Sequence, residues 1–113
     1  LQALITLNDP IFVEAARFFA ERIIKEGGSS ISDKIDFAFN SAIAHPPKPD
    51  LKVKLEEFYY RRLADFKKNP KNSAMLLSIG DKKRDTSLEL SEHASWTLVA
   101  QLIMNLDETL NKE

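Results

Sequence analysis

Apolar side chains recur every three or four positions through most of this chain, and prolines and glycines mark where the pattern stops. Beyond Pro10, the residues Phe12, Ala16, Phe19, Ala20, Ile23 and Ile24 fill about half of a helical circumference at about 100° per residue. Glu14, Arg17, Glu21 and Lys25 form the opposite, narrow stripe and read as its solvent face. So wide an apolar arc predicts a central helix touching several neighbours. The "NDP" elbow supplies its start. Asp9 is a good N-cap and Pro10 a good first residue, since the N–H that proline lacks would be unpaired there anyway. The helix is expected to reach about Lys25 or Glu26, with Gly27 as a left-handed cap.

"SSISDKIDFAFNSAIA" predicts a second helix, capped by Ser30 with Asp33 or by Ser32, with a stripe of Ile35, Phe39, Ala42 and Ile43. "HPPKP" stops it in an extended turn. Pro49 opens a third helix through about Lys68, with Leu51, Leu55, Phe58, Tyr59, Leu63 and Phe66 facing inward. Asn69-Pro70 breaks it and begins a short fourth helix, "KNSAMLLSI", ended by Gly80. "GDKKRDTSLEL" follows as a charged loop. Ser91 is the expected cap of a long final helix, whose stripe is Trp96, Val99, Ile103, Leu106 and Leu110. Upstream, Leu1, Leu4 and Ile5 have helical spacing, although Leu1, Ala3, Ile5 and Leu7 also alternate as a strand would. The reading is an all-α single domain over residues 1–113: an irregular bundle of five helices plus a short N-terminal helical stub.

Composition narrows the chemistry. Sixteen basic and seventeen acidic residues leave a net charge of -1, without the basic excess of a nucleic-acid binder. No apolar run approaches the ~20 residues needed to span a bilayer. With no cysteine there is no disulfide, thiolate nucleophile or covalent c-type haem attachment. His45 and His93 are the only histidines, and no H-E-x-x-H or D-x-D-x-D-G pattern occurs, so neither a metal nor a cofactor is expected. The apolar start, with no cap and no targeting charge, suggests the middle of a longer chain.

Asn105, Asp107 and Glu108 are the candidates for paired-carboxylate chemistry. Adjacent helical residues point about 100° apart, so they are better read as fastening a helix end to the core. His45 is expected on an exposed turn and His93 on the surface. Phe58 and Tyr59 project inward with Tyr60 roughly opposite, and Trp96 reads as a core anchor. Lys82, Lys83 and Arg84 are bracketed by Asp81 and Asp85, the pattern of a solvated loop. Two charges fall on apolar arcs. Arg62 projects roughly 20° from Leu51 and Leu55, and Asp107 falls between Trp96 and Ala100. The expectation is an Arg62–Asp107 ion pair linking the third and final helices. Arg17 is the alternative partner for Asp107, and a cap on the Asn8-Asp9 elbow is the alternative role.

Three stretches carry a family likeness: "LQALITLNDPIFVEAARFFAERI", "IDFAFNSAIAHPPKPDL" and "SWTLVAQLIMNLDETLNKE". Together they resemble the C-terminal end of the planctomycete cytochrome-associated domain of unknown function. The matching elements are Leu1 to Leu4, Leu7 to Pro10, Gly27, Ala38-Phe39, Pro46-Pro47, Trp96 and Asn105 to Glu108. The turn departs from the family, with Ala44-His45-Pro46-Pro47-Lys48 where Gly-Arg-x-Pro-Thr is common. The resemblance implies the C-terminal portion of a larger, exported multi-domain protein in the periplasm or at the cell surface. It further implies a non-catalytic structural or interaction domain whose partners are upstream domains of the same protein, a cytochrome c-type module among them. Self-association through surface bared by truncation belongs to the same expectation. The alternative is a contribution to an active site shared with the upstream region, in redox or polysaccharide-linked metabolism.

Overall fold

A computed structural model describes the backbone of residues 9–111 and the side chains of residues 9–106. Five helices occupy most of that span: α1 (Pro10–Glu26), α2 (Ile31–Ile43), α3 (Pro49–Lys68), α4 (Pro70–Leu77) and α5 (Leu90–Asn111). No strand occurs among the described residues, so the fold is all-α. The expected N-terminal stub, with Leu1, Leu4 and Ile5, lies outside the described residues, as does any apolar surface it was expected to bare.

Local chemistry accounts for the helix starts. The Asp9 Oδ1 accepts the Ile11 N–H at 2.9 Å with Pro10 in the first position, and the Ser30 Oγ accepts the Asp33 N–H at 3.0 Å. At α5 the capping side chain is Glu89, not Ser91. Its carboxylate accepts the N–H groups of Ser91 (2.9 Å) and Glu92 (3.1 Å) and the Ser91 hydroxyl (2.6 Å). Burial pushes the Glu89 carboxyl up, but these hydrogen bonds outweigh it and hold the group below its ordinary range.

Gly27 is not the left-handed residue either. It sits at φ -80°, and Gly28 takes φ +100°. A Cβ at position 27 would lie 2.5 Å from the Ile23 carbonyl oxygen and 3.1 Å from the Lys34 Cα, so the glycine is needed for close passage of α2.

The hub is α5 rather than α1. It packs against all four other helices, and Trp96, Val99, Ala100 and Ile103 are fully buried. Around them lie Ala16, Ala20 and Ile23 of α1, Ile35 and Phe39 of α2, and Leu55 and Tyr59 of α3. The Trp96 and Tyr59 rings are 4.4 Å apart between centroids. A smaller cluster of Phe66, Leu77 and Ala94 joins α3, α4 and α5. The first turns of α5 are buried on nearly every side although their sequence is polar. Ser95 and Thr97 achieve this by donating their hydroxyls to the Ser91 and His93 carbonyls one turn back, at 2.7 and 2.8 Å. As its wide apolar arc predicts, α1 also touches several neighbours, packing against α2, α4 and α5, although Ile11 stays 79% and Phe18 39% exposed.

Candidate functional site

The densest polar construction joins α1, the segment 78–89 and the first turns of α5. It begins with the α1 stripe expected to face water. Arg17 lies four residues before Glu21 and three after Glu14, so all three project on one side of α1. Instead of facing solvent, that side is covered by the 78–89 segment. Arg17 is 1% exposed. Its guanidinium donates to the Leu77 carbonyl at the end of α4 (2.8 Å) and to the Lys82 carbonyl, with the Glu14 carboxylate 3.5 Å away. The Glu14 Oε2 accepts the Lys82 N–H at 2.7 Å, the Glu21 Oε2 accepts the Asp85 N–H at 3.3 Å, and Lys25 pairs with Asp85 at 2.5 Å. The hydrogen bond from Lys25 and those from Ser87 hold the Asp85 carboxyl well below the usual carboxylate range.

The loop "GDKKRDTSLEL" is therefore a strap laid along α1, with most of its residues exposed to solvent as expected. Lys82 and Lys83 stay exposed, whereas Arg84 is half-buried and one of its NH2 groups shares its two hydrogens among three acceptors: the carbonyls of Asp85 (3.2 Å) and Leu88 (3.1 Å) and His93 Nδ1 (3.1 Å).

His93 is fully buried, contrary to its expected place on the surface. Position 93 lies in the first turn of α5, where α1 and the strap converge. A guanidinium only donates, so the His93 Nδ1 is the acceptor and the ring carries its proton on Nε2. The Nε2–H faces the Arg17 carbonyl oxygen at 3.4 Å and the Glu21 carboxylate at 3.8 Å. Burial, chiefly, and the Arg84 and Arg17 charges push the imidazole below its ordinary value, against a smaller upward pull from the Arg17 carbonyl and Glu21.

The residues expected to have structural roles lie elsewhere, as far as they fall within the described residues. Asp9 and Pro10 serve the start of α1, and Trp96 lies in the main core against Tyr59. Arg62 is half-buried. Its carboxylate partner among the described residues is Asp65 of the same helix (2.9 Å), and its guanidinium lies over the Phe58 ring at 5.3 Å. The side chains of Asp107 and Glu108 lie outside the described residues, so the Arg62–Asp107 and Arg17–Asp107 pairs lie there too. Arg17, the alternative partner, is engaged at Glu14, Leu77 and Lys82. Asn105 is half-buried and lines a mostly apolar cleft with Leu51, Leu55, Phe58, Leu102 and Leu106. His45 is exposed on its turn, 2.9 Å from the Pro46 carbonyl oxygen.

A larger cleft of about 650 Å³ opens on the flank of α1, between Phe18, Phe19, Ala42 and Met104 on its apolar side and Glu21, Arg22, Lys25 and Glu26 on its polar side. Among the described residues, no group of three or more His, Asp or Glu side chains is placed to hold a metal ion. No described helix is long and apolar enough to cross a membrane. No protein-family model, curated protein or solved structure matches this chain.

Proposed function

We propose that this chain is a structural or interaction domain without a catalytic centre of its own. We place it as the C-terminal part of a planctomycete cytochrome-associated domain, within an extracytoplasmic multi-domain protein. The observation supporting this reading is how the ionisable groups around the strap are used. Arg17, Glu14, Glu21, Arg84 and Glu89 all spend hydrogen bonds on backbone groups of the strap or of a helix start. A general acid or base needs an atom free to meet a substrate, and a group already bonded to its own backbone is poorly placed for that work. The partially exposed Phe18 beside the α1 cleft supplies an apolar contact suited to a neighbouring domain.

The test is titration of this chain with the separately produced upstream region of its protein. Stoichiometric binding is expected. It should weaken at least about tenfold for Phe18→Glu, with an unchanged melting temperature. A second reading, a shared active site, draws on the charged side of the same cleft: Glu21, Arg22, Lys25 and Glu26. It predicts turnover that appears only when the two parts are joined and disappears with Glu26→Gln. That outcome would replace the docking reading.

A further inference from the structure

His93 is a fully buried titratable group, and its two ring nitrogens face opposite kinds of neighbour. Among the described residues, the charged groups acting on the ring are Arg17 and Glu21 from α1 and Arg84 from the strap. Arg84's other two hydrogen bonds go to Asp85 and Leu88, both within the strap, so its bond to His93 is the one that ties this end of the strap to α5. Glu21 meanwhile has two possible partners, the Asp85 N–H at 3.3 Å and the His93 Nε2 at 3.8 Å.

We propose that His93 is an acid-operated latch, in which protonation at Nδ1 expels Arg84 and loosens the 84–88 end of the strap. Two physical consequences of one added proton lead there. An Nδ1–H can no longer accept from Arg84, and an imidazolium 3.1 Å from a guanidinium repels it in a buried setting. The same positive charge draws the Glu21 carboxylate toward Nε2, which weakens its already long bond to the Asp85 N–H. Two of the contacts that hold residues 84 and 85 on the α1 side of α5 are weakened together, and the solvent-facing Lys25–Asp85 pair is left as the remaining tie of residue 85 to α1. The strap's other end keeps Arg17 and Glu14 on Lys82, so the segment swings rather than detaches. Arg84 and Thr86 wall a cavity of about 370 Å³ that Leu77 and Leu90 also line, so release uncovers that apolar floor.

The direction in pH follows from the depressed imidazole. The folded chain selects the neutral ring. This contribution is complete above the ordinary histidine value of 6.5 and is lost as the pH falls below it toward the lower folded value. The experiment is amide hydrogen exchange from about pH 7.5 to about pH 5, corrected for intrinsic rates, alongside the NMR titration of the His93 ring. Protection across residues 84–88 is expected to fall at least about tenfold while α3 stays protected, with the ring titrating at the same midpoint. In His93→Asn, whose amide oxygen can accept from Arg84 but cannot protonate, protection of the strap should not change with pH. Strap protection independent of pH in the native chain would overturn the latch. So would opening at a pH away from the His93 midpoint, a readout that stands even if the variant fails to fold.

Discussion

Arg17 lies on the polar stripe of its helix and Arg62 projects onto the apolar arc of its own, yet it is Arg17 that is buried. Arg17 is enclosed, and its donors meet carbonyls from two other segments as well as Glu14. Arg62 keeps a side chain 36% exposed, paired with the 62%-exposed Asp65 one turn along the same helix. Pairs of that kind contribute about 0–1 kcal/mol, and stacking of the guanidinium on Phe58 adds a similar amount at most. Helical projection alone gave Arg62 an interhelical ion pair. The Asp107 side chain of that pair lies outside the described residues; among the described ones the guanidinium reaches its own helix's surface, at Asp65. Chemical denaturation of Arg62→Met should therefore show a change within about 1 kcal/mol of the native chain. A loss of about 3 kcal/mol or more would restore a buried partner for Arg62.

At the scale of elements, the first four helices were legible because each has a start or stop with a physical cause, namely Asp9-Pro10, Ser30, Pro49, Pro70 and the Gly27-Gly28 pair, and α5 was legible from its apolar stripe. What periodicity could not supply was rank among the helices. "SEHASWT" reads as half polar, yet Ser91, His93, Ser95 and Thr97 are buried because each polar atom finds a partner within a turn or across the strap. A cap supplied by glutamate was missed for a related reason, since Ser91 is intrinsically the better capping type. The end of α2 is the other local surprise. Ala44 sits at φ 70°, ψ 16°, a left-handed conformation that costs a residue with a Cβ roughly 1–2 kcal/mol, part of which glycine would give back in unfolded-state entropy. Ala44→Gly is thus expected to stabilise the domain by roughly 0.5–1 kcal/mol, seen as a raised denaturation midpoint with an unchanged slope. A lowered midpoint would mean that the Ala44 methyl makes contacts worth more than the backbone strain.

For the whole molecule, the decisive feature is long-range. The strap's bonds to α1 join residues 60 to 68 apart in sequence, and His93 meets the Arg17 carbonyl across 76. Nothing in a stretch with no periodicity says which surface it will cover. A polar helical stripe looks the same whether it meets water or another segment's backbone. That is why Glu14, Arg17, Glu21 and Lys25 read as a wet face, with no sign that the 78–89 loop would cover it. Once joined, they supply each other's missing partners: carbonyls and N–H groups of an irregular segment on one side, fixed charges of α1 on the other. The interior polar chemistry of this domain is thus committed to holding a loop in place, which is also the ground for reading it as a docking module.

Limited trypsin digestion tests that commitment most directly, because Lys82, Lys83 and Arg84 are three consecutive cleavage sites in the strap. In the native chain these bonds should resist cleavage. In Arg17→Met, which removes the donors to Leu77 and Lys82, cutting there should accelerate at least about tenfold relative to sites within α3. Rapid cutting at residues 82–84 in the native chain, at a rate unchanged by Arg17→Met, would show a free loop and contradict the account.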